Sequence, residues 1–225
     1  MSIRMSGEDQ RKSRLEALIA RVKGLLLSPE EEWPQICSEA LPTQDILKTH
    51  VLPLAAVGPL AKFIGGQIFG YGILGFGAEL NIAQALADLV SSYVFNLAAF
   101  ILLVTITPTV AQRFGGKLDR PRTFALIAYS MTAYWLSGIF HLFPIFSVLL
   151  VLGLYSVHVF HVGAGVIAGV PEEKSMPFIA VILVFALILI IGTSMISGAV
   201  TRSFAPDPFD NDYALNGSAS PAEPG

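Results

Sequence analysis

The chain has 225 residues, of which 53% are hydrophobic and only 14% charged, with a formal net charge of -3. So apolar a composition excludes an ordinary soluble domain, and the small net charge averages a basic N-terminal part with an acidic C-terminal one. The single cysteine, Cys37, excludes an intramolecular disulfide; with no His or second Cys at ligand spacing, it reads as an inert thiol.

The first 47 residues read as a cytoplasmic N-terminal region. Their start is polar and charged, and the first long apolar run begins only at about Val51, so no signal peptide is expected. Leu15, Leu18, Ile19, Val22, Leu25 and Leu26 recur at spacings of three and four, which places them on one helical face. Arg11, Lys12, Arg14, Arg21 and Lys23 occupy the remainder, so the pattern predicts a basic amphipathic helix. It either lies on anionic lipid, with those five as its lipid-facing basic residues, or packs on the end of a bundle. In SPEEEW, Ser28 is placed to cap a second short helix, with Pro29 at its first position and Glu31 where a capping box wants it. Trp33 suits the headgroup region, and Pro42 is expected to end that helix.

A membrane domain follows over 48–200. About 20 predominantly apolar residues cross the hydrocarbon as a helix, and such runs occur at about 51–70, 87–111, 123–141, 145–164 and 177–199. Lipid requires each segment to satisfy its own backbone, and strand-like alternation is missing from the pattern. The fold class is therefore all-α, a polytopic membrane protein of five transmembrane helices. The N-terminal flank and the loop with Arg113, Lys117, Arg120 and Arg122 are basic. The loop after the first run has Glu79 and no Lys or Arg, and the turn at Leu142–Pro144 has no charge. The N-terminus is thus expected in the cytoplasm and the C-terminus outside. The tail over 201–225 carries Asp207, Asp210, Asp212 and Glu223 among Pro, Gly, Ser and Asn, a composition that predicts disorder.

Polar residues inside the spans are the ones lipid would reject. Lys62 in the first span and Asp88 at the start of the second are placed to form a buried pair, or Lys62 snorkels to the headgroups. Asn96 is expected to make an interhelical hydrogen bond. His158 and His161 stand one turn apart with no third ligand nearby in sequence, a weak metal signal for which interfacial hydrogen bonding is the simpler account. Pro53, Pro59 and Pro108 are expected to kink the first two spans, with Thr105, Thr107 and Thr109 satisfying freed carbonyls. Gly65, Gly66, Gly70, Gly72, Gly75 and Gly77 read as a re-entrant or mobile loop. Gly163 and Gly165, with Ala164 and Ala168, permit close helix approach. No nucleophile stands near a base, no cofactor fingerprint appears and no carboxylate pair faces a plausible cleft; an enzyme is not expected, nor any cofactor, metal or nucleic-acid partner.

The stretch FGGKLDRPRTFALIAYSMTAYW from Phe114 to Trp135, then GIFHLFPIF, GLYSVHVFHVG and VPEEKSM, resembles the bacterial branch of the Yip family of Ypt/Rab-interacting membrane proteins. The opening LLLSPEEEWPQI is similar too, and the resemblance covers about residues 20–200. It implies five spans with the termini on opposite sides, and a bacterial cytoplasmic membrane. Residues matching its motifs are Phe114, Gly115 and Gly116, then Tyr129, Ser130, Trp135 and Pro144, then Tyr155, Gly163, Pro171, Glu173 and Lys174. Their simplest role is helix packing and loop geometry. Where the family pattern has proline after Thr132, this chain has Ala133, so a proline kink in span three is not expected.

Two functional readings follow. The first is a non-enzymatic membrane organiser or adaptor whose partners are membrane lipids, anionic ones at the N-terminal helix, with a second copy or other membrane proteins as further partners. The alternative is a small transporter or channel subunit using Lys62, Asp88 and Asn96.

Overall fold

The computed structural model describes residues 7–39, 42–71 and 80–205. Gly72, Gly75, Gly77 and Glu79 of the expected glycine-rich loop lie outside those residues, as do the acidic groups of the C-terminal tail. The described residues are helical and contain no strand.

Five helical stretches are long and apolar enough to cross a membrane: Thr43–Phe69, Ile82–Arg113, Arg120–Leu142, Pro144–Ile167 and Glu172–Ser203. Each contains or closely matches an expected run, and most extend further at their polar ends. Two shorter helices precede them, α1 (Gly7–Leu27) and α2 (Pro29–Glu39). The end of the bundle that carries them is called proximal here, and the opposite end distal.

Span one is built of α3 (Thr43–Ile46), a π-helical turn over Leu47–Val51 and α4 (Leu52–Phe69). The wide turn lies just ahead of Pro53, which has no N–H to donate and whose ring crowds the carbonyl four residues earlier. Pro59 is carried inside α4 without a break. Pro42 starts α3 rather than ending α2. Span two is the single helix α5 (Ile82–Arg113), opened by a capping box of Asn81 and Gln84. It runs unbroken through Pro108, with Thr105 and Thr107 bonded to the carbonyls of Ile101 and Leu103.

Span three divides into α6 (Arg120–Ser130), α7 (Thr132–Ser137) and a 3-10 turn over Gly138–Leu142. Regular helix is interrupted at Met131, two residues before Ala133, so the interruption occurs without a proline. Thr132 Oγ1 donates to the Tyr129 carbonyl at 2.6 Å, drawing a backbone acceptor away from the regular ladder. Span four begins as a 3-10 helix over Pro144–Leu154 and becomes α8 (Tyr155–Ile167), while span five is α9 (Glu172–Ser203). Because α9 continues to Ser203 and buries Thr201, residues 201–203 belong to the helix and not to a disordered tail.

Span three is the most enclosed of the five. Leu126, Ile127, Ala128, Tyr129 and Trp135 are all buried, in one core cluster with Phe100 of α5, Phe160 of α8 and Phe178 of α9. Spans one and three approach at glycine: a side chain at Gly138 would collide with the backbone of Gly58. In a lipid solvent such close packing is what holds helices together.

Candidate functional site

The proximal site is built where α1 and α2 fold over span three. Trp33 of α2 is fully buried against α6 and α8, so its expected place among headgroups is not the one it takes. Its Nε1 donates to the Val159 carbonyl at 3.0 Å, and its ring meets Tyr129 edge-on at 6.2 Å. The lack of a side chain at Gly163 makes this possible, since a Cβ there would overlap the indole. Gly165, by contrast, has nothing within 4 Å of a built Cβ and makes no close approach.

Arg21 reaches into the same site. One terminal nitrogen donates to Glu32 at 2.5 Å, the other to Glu39, and the guanidinium carbon lies 5.7 Å from the Tyr129 ring centroid. Its side chain is 15% exposed, so Arg21 does not join the lipid-facing set. Burial works against its charge, but hydrogen bonding and attraction from Glu39, with Glu32 adding to it, outweigh that and hold its pKa above the ordinary value. Arg11, Lys12, Arg14 and Lys23 remain exposed. On the apolar face Leu25 is buried and Leu18 and Val22 pack on the core, while Leu15 and Ile19 stay exposed. Docking on the bundle thus describes the second half of α1 and leaves the first half unoccupied by protein among the described residues.

His50, which no spacing or motif marks in the sequence, completes the cluster. It is 3% exposed, bonds Thr132 Oγ1 at 2.9 Å and stands edge-on to Tyr129 at 4.7 Å. Beside it, Ile36, Cys37, Ile46, Asp119, Arg122 and Tyr129 line a groove of about 400 Å³. Burial pushes the Cys37 thiol up, partly opposed by Arg122.

The motif residues divide by role. Gly115 turns with φ of 87°, and Gly116 sits against the Ala168 carbonyl and Val170. Lys117 donates its backbone N–H to that same carbonyl at 3.1 Å, and Phe114 meets Phe178 at 6.2 Å, so the loop after α5 interlocks with the loop before α9. Pro171 precedes the first turn of α9, where Glu173 favours the helix dipole, and Lys174 is exposed. Tyr129, Ser130 and Trp135 face inward, whereas Tyr155 is exposed at the start of α8 and Pro144 opens the 3-10 half of span four. A sequence profile of the Yip1 domain matches residues 23–194. The chain belongs to the Yip1 domain family. Comparison with curated proteins finds no match, nor does comparison with solved structures.

On the distal side of this Yip1 domain, Lys62 Nζ lies 2.8 Å from Asp88 Oδ2 and 3.0 Å from Oδ1. Thr201 Oγ1 adds a contact to Asp88 at 3.4 Å, and Ser91 and Ser92 reach Ser197 at 2.7 and 3.1 Å, forming a polar seam between α5 and α9. Asn96 does bridge helices, accepting from Trp135 Nε1 at 3.1 Å and donating to the Ala55 carbonyl at 3.4 Å. His158 leans on Tyr155 with ring centroids 5.2 Å apart, and no group of three metal-binding side chains occurs among the described residues.

Proposed function

We propose that this Yip1 family protein is a non-catalytic organiser of a bacterial cytoplasmic membrane, whose N-terminal helix reads anionic lipid on the cytoplasmic side. One observation carries the reading: α1 is half docked. In its second half Leu25 is buried in the core and Arg21 lies over Tyr129 of span three, while Arg11, Lys12, Arg14 and Leu15 of the first half stay exposed on the same helix. A helix so anchored is held at the membrane surface without spending its basic residues on the protein. Arg113, Lys117, Arg120 and Arg122 lie at the same end of the bundle, which supports a cytoplasmic proximal face.

The transport alternative draws less support. Lys62 and Asp88 neutralise one another, and both polar ends of the Asn96 amide are engaged, so the three act as helix-to-helix links.

The test is hydrogen exchange of residues 8–20 in nanodiscs of neutral phosphatidylcholine, with and without phosphatidylglycerol. Anionic lipid should slow exchange, and the triple variant Arg11→Gln, Lys12→Gln, Arg14→Gln should not respond. Exchange that ignores lipid charge in the unaltered protein overturns the reading.

A further inference from the structure

The spans line a cavity of about 690 Å³ that runs from their distal parts past mid-span. Its existence follows from how spans four and five part. α9 packs along α5 and meets α8, whereas the 3-10 segment Pro144–Leu154 packs on α7 and the 3-10 turn of span three. Among the described residues that segment and α9 make no extended contact. Leu150 and Leu154 of that segment line the cavity together with Leu187 and Ile190 of α9, and with so little contact between the two elements a lateral gap is left there. Eleven residues of 3-10 helix are themselves uncommon, since such runs seldom pass about four residues. A longer, thinner helix leaves space that an α-helix would fill.

The lining is graded. Lys62 and His141 line its distal part, while Phe160 and Ile182 line the part nearer the proximal end. Ser130 lines the wall between them; it is 4% exposed, and its Oγ is the one buried side-chain polar atom without a partner among the described residues.

We propose that this cavity is a lipid site, which takes one acyl chain of a bilayer phospholipid through the gap between Pro144–Leu154 and α9, with the phosphate beside Lys62 and His141. Size and lining match a ligand pocket, for which about 300–1,000 Å³ of mostly apolar wall with a few convergent polar groups is typical. The gap opens within the apolar band of the spans, where neighbouring molecules are lipids and not solutes. Lys62 remains able to meet an anion: its side chain is 41% exposed, and an ammonium has three donors, of which Asp88 does not use all. The inference is independent of what α1 binds.

The test is native mass spectrometry of the full chain, extracted from membranes and washed with detergent until surface lipid is removed. The unaltered protein should keep one phospholipid. Ala186→Phe places a ring in the cavity and should lower that occupancy at least tenfold, while Ala180→Phe, on an exposed part of α9 away from it, should not. Ser194→Phe narrows the gap at an exposed position and gives the same reading should Ala186→Phe fail to fold. Retention of detergent alone by the unaltered protein overturns the proposal, as does equal phospholipid retention by the cavity-filling and control variants.

Discussion

Arg21 and Tyr129, 108 positions apart in the chain, meet as a cation over an aromatic face, with 5.7 Å between guanidinium carbon and ring centroid. The contact fixes where α1 ends its run along the bundle, because the same guanidinium also holds Glu32 and Glu39 of α2. One side chain thus joins α1, α2 and span three.

Arg21→Gln should free α1. It leaves two carboxylates close together without their cation and uncovers the Tyr129 ring, at a cost of about 1–3 kcal/mol for the lost charged hydrogen bonds. Proteolysis within residues 8–27 should become rapid while the five spans stay resistant. Arg21→Lys keeps the charge but not the planar fork that serves two acceptors, so its effect should fall between. Unchanged α1 protection in Arg21→Gln would assign the docking to Leu25 and Val22 alone.

Gly163 and Trp33 supply a packing test. A methyl at Gly163 overlaps the indole and comes within 2.9 Å of Leu126 Cδ1, a collision between rigid elements. Gly163→Ala should cost about 1–3 kcal/mol as overpacking and shift tryptophan emission to longer wavelength as Trp33 is pushed toward water. Gly165→Ala, with open space around it, should change neither melting nor emission.

Cys37 reports on the proximal groove. Burial raises its thiol pKa above the model-compound value of 9.0, against the pull of Arg122. Only the thiolate is alkylated, so the rate should rise with pH to a midpoint above 9.0 in the folded protein. Arg122→Gln removes the opposing charge and should move that midpoint further up. A downward move would place Cys37 against a different charge.

The five spans are legible in the sequence because hydrocarbon imposes a length and a composition that each run states for itself. Their ends are less so: Gln44, Asp45 and Lys48 dilute the hydropathy of a helix that begins at Thr43, eight residues before the apolar run. Asn96 is readable as a bridge because an amide in lipid needs partners, although nothing names Trp135 and Ala55 as those partners. His50 and Thr132 are 82 positions apart, and the Arg21 ion pairs cross between helices, so no spacing rule finds them. The cavity is hidden for a deeper reason. Hydrophobic pattern tells which residues avoid water, and it gives no measure of how well two apolar faces fit each other.

Lys62 and Asp88 are unequal partners, and their inequality predicts an order of effects. The Asp88 side chain is 10% exposed and the Lys62 side chain 41%, so the carboxylate depends on the ammonium more than the reverse. Lys62→Met leaves Asp88 buried with, among the described residues, only the weak 3.4 Å side-chain contact from Thr201, and should cost about 1–3 kcal/mol, below the range for fully buried pairs because solvent or headgroups reach Lys62. Asp88→Asn leaves a lysine able to extend toward the headgroups, and should cost less. The double variant Lys62→Met, Asp88→Asn should melt above Lys62→Met alone, since no charge is then stranded. Thermal unfolding of the three in one detergent gives the order, and a larger loss for Asp88→Asn than for Lys62→Met would mean that Lys62 is the buried member of the pair in the membrane.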